Sequence, residues 1–369
     1  MQRFVVIALV VLAACTPRAE ITYAPAALSS QPPVPVFVGT TRGPDPDTGA
    51  DLTRGRSETL RFARFDVSVP PDRKAGTIPL PPRNRAPDPM REFSVSGQQL
   101  YSAKAAFRAD LSRALASHGH EAVIFVHGYN NTLADGVYRF AQMGRDLKLP
   151  GVLVHYSWPS RANVFGYAYD RDSALFARDG FERLLREVSA AGARRIVIVA
   201  HSMGGALTME TLRQIAISGD GAVRNRIAGV VLISPDLDVD VFRSQARRIG
   251  RLPQPFIIFT SERDRALALS ARVAGEGERL GNLRDVTRVA DLEVTMVEVG
   301  AYSSGDGHFT VGSSPTLLAL LGREGELNAA FAGDRSGQAG LLPGFVLTVR
   351  DATRIVLAPV EELVEGMAN

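Results

Sequence analysis

Short apolar runs of four to seven residues alternate along this chain with longer stretches in which apolar residues recur every three or four positions. The runs at 122–126, 152–156, 196–199, 227–233, 256–259 and 294–299 are β-branched or aromatic with little polar interruption, the pattern of strands buried on both faces. Between them, 133–147, 174–190 and 203–217 carry helical spacing, and a more polar helix is predicted at about 239–248. Strands alternating with helices at this spacing predict a doubly wound, mostly parallel α/β sheet. Upstream, 34–41 (V-P-V-F-V-G-T-T) reads as a strand, and 60–69 alternates apolar and polar residues like a half-exposed antiparallel strand. The intervening 43–55 is a turn region, and the prolines of 70–90 predict an irregular surface segment. A helix is expected over 98–117 and a covering helix over 317–331, whereas 344–360 reads as a strand pair or a docking segment.

The junction at 195–207, R-I-V-I-V-A-H-S-M-G-G-A-L, changes this picture from architecture to chemistry. A buried strand runs straight into a helix, and Ser202 stands at the turn with Ala200 and Gly204 two residues to either side. Such a turn strains the serine backbone and requires small flanking residues; in return it exposes the hydroxyl above the sheet at a helix N-terminus. This is the nucleophile-elbow pattern G-x-S-x-G with alanine in the first position, and A-H-S-M-G resembles the variant seen in bacterial lipases.

A serine hydroxyl at neutral pH needs a general base, and the base needs an orienting carboxylate. In a sheet of this kind reactive groups collect at the carboxyl ends of the strands, and an elbow serine is followed in the chain by its acid and then its histidine. Of the six histidines, His118 and His120 precede the core, His127 opens the H-G turn, and His155 lies within a strand. His201 adjoins the serine with its side chain expected to point away, which leaves His308, in S-S-G-D-G-H-F after the last core strand. Asp264, shortly after the run at 256–259, is the expected acid. Asp236 offers a second geometry, Glu262 competes locally, and Asp306 is very close in sequence to His308. Two backbone N–H groups should form an oxyanion hole, those of Met203 and of Tyr129 in the turn H-G-Y-N-N. Tyr156, Trp158, Tyr167 and Tyr169 are candidates either for a substrate pocket or for core packing.

The formal charge of +3 is spread over dispersed arginines, so no nucleic-acid partner is expected. No ligand cluster and no phosphate-cradling glycine loop implies a metal or another cofactor. The single cysteine, Cys15, ends an apolar run behind Arg3 that is too short to span a bilayer but suits a signal peptide. L-A-A-C resembles the lipobox of bacterial lipoproteins. The resemblance implies cleavage before Cys15 and acylation there, and Thr16 after it favours the outer membrane, facing the periplasm. The expected organisation is therefore a signal peptide (1–14), a flexible Pro/Ala/Ser spacer (15–33), a hydrolase domain (34–331) and a C-terminal extension (332–369) of no assigned role.

Taken together, H-G-Y-N-N, S-W-P-S (157–160), A-Y-D-R-D, A-H-S-M-G-G, S-P-D-L-D-V-D-V-F and S-E-R-D-R-A-L-A-L-S resemble the bacterial α/β-hydrolase family of uncharacterised function labelled esterase/lipase superfamily enzymes, over about residues 34–320. The resemblance implies an α/β-hydrolase fold whose domain includes the early antiparallel strands, with Ser202, Asp264 and His308 as triad. The expected activity is hydrolysis of small or soluble carboxylic esters, because 236–254 is too short and arginine-bearing for an apolar lipase lid. The same triad also serves amides and thioesters, and a non-catalytic envelope scaffold on a hydrolase fold is the remaining alternative.

Overall fold

The computed structural model describes residues 18–25, 29–49, 51–273, 275, 278–302, 308–321 and 344–357. Strands β1 (Val34–Gly43), β2 (Gly55–Ser68) and β3 (Ser94–Tyr101) come first, followed by helix α1 (Lys104–Ser117). The alternating part runs β4 (Glu121–Val126), α2 (Leu133–Asp146), β5 (Val152–Ser157), α3 (Tyr167–Phe176), α4 (Arg178–Ala190), β6 (Arg195–His201) and α5 (Met203–Ser218). A short α6 (Gly221–Arg224) leads to β7 (Ile227–Ile233), α7 (Val239–Ile249), β8 (Phe256–Thr260), α8 (Arg265–Val273) and β9 (Val294–Glu298). Helices α9 (Thr310–Ser313) and α10 (Pro315–Leu321) and the hairpin β10 (Gly344–Val349) and β11 (Ala352–Leu357) complete the described chain.

All eleven strands form one sheet in the order β10-β11-β9-β8-β7-β6-β4-β5-β1-β2-β3. Pairing is parallel from β11 through to β1 and antiparallel at the two ends, β1–β2–β3 and β10–β11. This is the α/β-hydrolase fold, with antiparallel strands at its N-terminal edge. Period-two alternation divides the core into two layers. Ala122, Ile124 and Val126 of β4 pack with Phe107, Leu184 and Leu207 from α1, α4 and α5. Val123 and Phe125 of the same strand pack with Val137 and Phe140 of α2 on the other face. Each of these side chains larger than alanine contributes roughly 1.5–3 kcal/mol by leaving water. Helix α2 begins with a reciprocal capping box, Thr132 accepting from the Asp135 N–H and Asp135 from the Thr132 N–H.

Three expectations are corrected here. The residues 98–101 end strand β3, and the helix starts only at Lys104. Leu100, whose spacing mimics a helical stripe, is an exposed side chain on an edge strand. The stretch 174–190 is two helices, separated at Ala177, whose carbonyl accepts the Tyr156 hydroxyl at 2.6 Å. The described part of the expected spacer is docked rather than free. Ala19 and Ala24 are buried, the Thr22 carbonyl accepts from the Val95 N–H at 2.7 Å, and the Val95 carbonyl accepts from the Ala24 N–H at 3.0 Å. Proline and alanine are compatible with a loose chain, but these contacts belong to partners more than seventy residues away. At the other end the strand-pair reading of 344–360 describes β10 and β11, which extend the same sheet beside β9. The spacer residues 15–17, Cys15 among them, and 26–28, together with all of 322–343, lie outside the described residues.

Candidate active site

The β6–α5 turn holds Ser202 at φ 52°, ψ −124°, a backbone conformation that side chains rarely adopt. The strain is held from both sides: the Ser202 N–H donates to the Ile233 carbonyl at 2.9 Å, and its carbonyl accepts from the Asp236 N–H at 3.2 Å. Gly204 is needed because helix α5 starts against β4. A methyl there would lie 2.5 Å from the His127 carbonyl oxygen and 2.6 Å from that of Val126. The close approach is therefore stricter than the small-residue rule, which would have allowed alanine.

Downstream of β8, Asp264 is buried, with Oδ1 accepting from the Leu267 N–H at 2.9 Å at the start of α8. Its Oδ2 lies 2.8 Å from Nδ1 of His308, so the imidazole and the expected acid meet across 44 residues of sequence. Glu298, at the end of β9, ties the loops bearing these two groups. It accepts from the Thr260 hydroxyl at 3.0 Å, the Gly300 N–H at 2.8 Å and the Glu262 N–H at 3.3 Å. Burial raises the Glu298 pKa.

Asp236, the alternative acid, is engaged elsewhere. It accepts from the Tyr167 hydroxyl at 3.0 Å and the Ser270 hydroxyl at 2.6 Å, and the Arg279 guanidinium lies 3.4 Å away. Glu262 pairs with Arg284 and Arg354 on the surface, and Asp306 lies outside the described residues.

His201 faces the loop that bears His308. Its side chain is buried against the neighbouring loop, with Nε2 3.2 Å from the His308 carbonyl oxygen and ring centroids 4.8 Å apart. Burial, with the nearby His308, holds its pKa well below the ordinary histidine value, so it meets that carbonyl as a neutral donor.

The turn after β4 abuts the elbow. A methyl on Gly128 would lie 2.8 Å from the Ser202 Cβ and 2.7 Å from His201 Nδ1. The Gly128 carbonyl is held by His127 Nδ1 at 2.8 Å and by the Asn131 side-chain amide at 3.3 Å. The Tyr129 N–H belongs to the same trans peptide and must point the opposite way. The Met203 N–H is at the first position of α5, where no intrahelical acceptor exists.

A buried ionic frame supports this turn. Asp170, fully enclosed, accepts from the Asn130 N–H at 3.0 Å, the Ser160 hydroxyl at 2.6 Å and the Arg161 N–H at 2.6 Å. Arg42 is also enclosed and donates to the Asn131 carbonyl at 2.7 Å, the Ser160 carbonyl at 3.0 Å and the Ser157 hydroxyl at 2.8 Å. Burial lowers its pKa to about 10, opposed by the charges of Asp170 and Asp135, so it stays a cation at neutral pH. His127 stacks on Trp158 with centroids 4.8 Å apart, and the Trp158 indole donates to the His127 carbonyl at 2.7 Å. Trp158 and Tyr156 are core residues, whereas Tyr129 and Tyr167 stand edge to face at 5.7 Å beside the elbow. Arg42 carried no motif signal, since one arginine ending an apolar strand reads as a solvated side chain.

The model of a family described as alpha/beta hydrolase of unknown function (DUF900) matches residues 103–323, more than half of the chain. The chain belongs to that hydrolase family. The matched segment contains every group of the candidate site except Arg42. No protein with a curated description matches this hydrolase in sequence. Among solved structures, Aspergillus fumigatus lipase B is similar at 15% identity and TM-score 0.38, over 63% of this chain and 58% of that one, so the hydrolase spans under two thirds of the lipase. An esterase of Pyrobaculum calidifontis (16% identity, TM-score 0.34) aligns over 59% of this chain and 77% of its own. A cutinase-like protein from a Cryptococcus species (14%, 0.33) aligns over 60% and 96%. Likeness at this level bears on neither substrate nor mechanism.

Proposed function

We propose that this hydrolase cleaves carboxylic esters through an acyl-enzyme on Ser202, and that it is exported and lipid-anchored at Cys15 on the periplasmic face of the outer membrane. The observation that carries the catalytic reading is the 2.8 Å contact between His308 Nδ1 and the buried Asp264 carboxylate, on a histidine packed against the residue preceding the strained Ser202. In this reading Asp264 holds the imidazole with its proton on Nδ1, leaving Nε2 as base. Ser202 Oγ attacks the ester carbonyl while Nε2 takes its proton, and the N–H groups of Tyr129 and Met203 stabilise the oxyanion. The tetrahedral intermediate collapses, Nε2 returns the proton to the leaving alcohol, and the acyl group remains on Ser202. Water deprotonated by His308 then releases the acid and frees the serine. The anchor reading rests on the L-A-A-C sequence and the sole cysteine.

The test is a fluorophosphonate probe on the folded protein beside Ser202→Ala and His308→Ala, followed by an ester, thioester and amide panel. Labelling of wild type alone, with turnover of esters, is expected. A folded wild type that neither labels nor turns over any ester would overturn the reading.

A further inference from the structure

Two segments at the candidate site present apolar side chains that no element among the described residues covers. One is the β5–α3 loop, where the Asn163 and Val164 carbonyls accept the Tyr129 hydroxyl at 3.2 and 2.5 Å. The next residue, Phe165, is 79% exposed. The other is α8, whose Ser270 hydroxyl lies 2.8 Å from that of Tyr167, the ring partner of Tyr129. Leu269 and Val273 project from α8 one turn apart, 62% and 67% exposed. Both segments thus flank one tyrosine pair beside the elbow. They also carry exposed Arg161, Arg265 and Arg272, and neither 159–166 nor 265–273 contains a carboxylate. Exposed apolar side chains interspersed with arginines match the interface of an anionic bilayer, where apolar groups enter the acyl boundary and arginines meet phosphates.

A second observation concerns where the chain approaches this face. Arg18 donates to the Asn130 side-chain carbonyl at 2.6 Å, one residue from Tyr129. The Ala19 N–H donates to Asp135 at 3.2 Å, and the Ala19 carbonyl accepts from the Thr132 hydroxyl at 3.1 Å, both partners belonging to the α2 capping box. A free spacer from Cys15 to Pro33 would reach roughly 60 Å and let the domain tumble above a membrane. With Arg18 docked, only the three peptide steps from Cys15 separate an acylated cysteine from the loop beside the elbow, a reach of roughly 10 Å.

We infer that Phe165, Leu269 and Val273, with their neighbouring arginines, form a membrane-docking face, and that the docked 18–24 strap holds the mouth of the Ser202 site against the anionic lipid surface. This rests on the anchor and ester readings and deepens them: the ester is then one carried by an amphiphile at that surface, in place of the soluble ester expected from the short lid segment. A membrane face needs no lid, since the bilayer itself covers the mouth.

The experiment uses the full-length lipidated protein in vesicles of phosphatidylethanolamine and phosphatidylglycerol carrying brominated acyl chains. The single natural tryptophan, Trp158, is fully buried, so Phe165→Trp adds a reporter at the rim. Emission from the introduced indole should shift to the blue and fall at least twofold on brominated lipid, while wild-type emission is unchanged. Inserting twenty Gly/Ser residues between Pro17 and Arg18 should at least halve that quenching and lower turnover of a vesicle-borne long-chain ester about fivefold, with turnover of a soluble short ester unchanged. Anchored protein with an unquenched indole overturns the docking face, including the case in which a protein partner covers it. Undiminished quenching in the insertion variant overturns the role of the strap. Failure of the prior readings is seen separately: an intact mass of the mature protein with no acyl group on Cys15 removes the anchor, and unlabelled Ser202 removes the esterase without affecting the quenching.

Discussion

At Ser202 the backbone angles and the chemistry are coupled. A residue held at positive φ costs on the order of 1–3 kcal/mol, which the surrounding turn must supply. Glycine normally destabilises a structured position relative to alanine. Here the order should invert, with Ser202→Gly about 1 kcal/mol more stable than Ser202→Ala in urea unfolding and both inactive. Equal stabilities would show that the elbow is unstrained. Gly204 faces a steric limit instead: a methyl 2.5 Å from a backbone oxygen forces α5 off β4. Gly204→Ala should cost about 3 kcal/mol, read from the same unfolding curves. Gly128→Ala, whose methyl would press on the Ser202 Cβ, should lower kcat more than stability.

At the level of elements, the candidate site is an agreement among loops from different strands. Asp170 at α3 and Arg42 from β1 hold the turn after β4 through Asn130 and Asn131, and neither touches Ser202 or His308 in the described contacts. In the proposed mechanism they are positioning residues for the Tyr129 N–H. Losing one oxyanion donor costs about 100- to 1000-fold in kcat. Asp170→Asn, which keeps the shape and loses the charge, should therefore reduce kcat about tenfold or more while KM moves little. A change confined to KM, or to stability, would argue against that role. His201 acts in the same way on the opposite loop. His201→Phe keeps the ring packing but loses the donor to the His308 carbonyl, and should slow fluorophosphonate labelling of an otherwise folded protein.

Across the whole molecule, three histidines are enclosed by the central sheet and its loops: His127, His155 and His201. Burial holds His155 at about 3 and the other two well below the ordinary value of about 6.5. The unfolded chain binds these protons first as pH falls, so each group removes stability below about pH 6.5, by roughly 1.4 kcal/mol per pH unit. Between pH 7 and pH 5 one such histidine accounts for about 2 kcal/mol. His155→Phe should lower stability at pH 7, through the lost contact to the Phe125 carbonyl, yet flatten its fall toward pH 5 by about that amount. Denaturant midpoints at the two pH values check this.

Much of this protein is written locally. Buried strands announce themselves as apolar runs because both faces leave water, and the elbow is readable because its constraints fall within five residues. Asp264 and His308 could be selected in advance because chain order in a parallel sheet dictates which loops reach the elbow. Other features depend on distant partners. The strap from Arg18 to Ala24 has the composition of a tether, and it is docked by distant partners that include Asn130, Thr132, Asp135, Tyr138 and Val95. Leu100 has helical spacing, and only pairing of β3 with β2 makes it an edge residue. Arg42, Asp170 and Glu298 are ordinary charges in sequence; burial and long-range hydrogen bonds turn them into the frame of the site. Periodicity and turn chemistry, carried by neighbouring residues, thus determined the sheet and its strained elbow serine. The tertiary structure alone decided which charges are enclosed and which apolar side chains stay uncovered, because those outcomes are set by groups far apart along the chain.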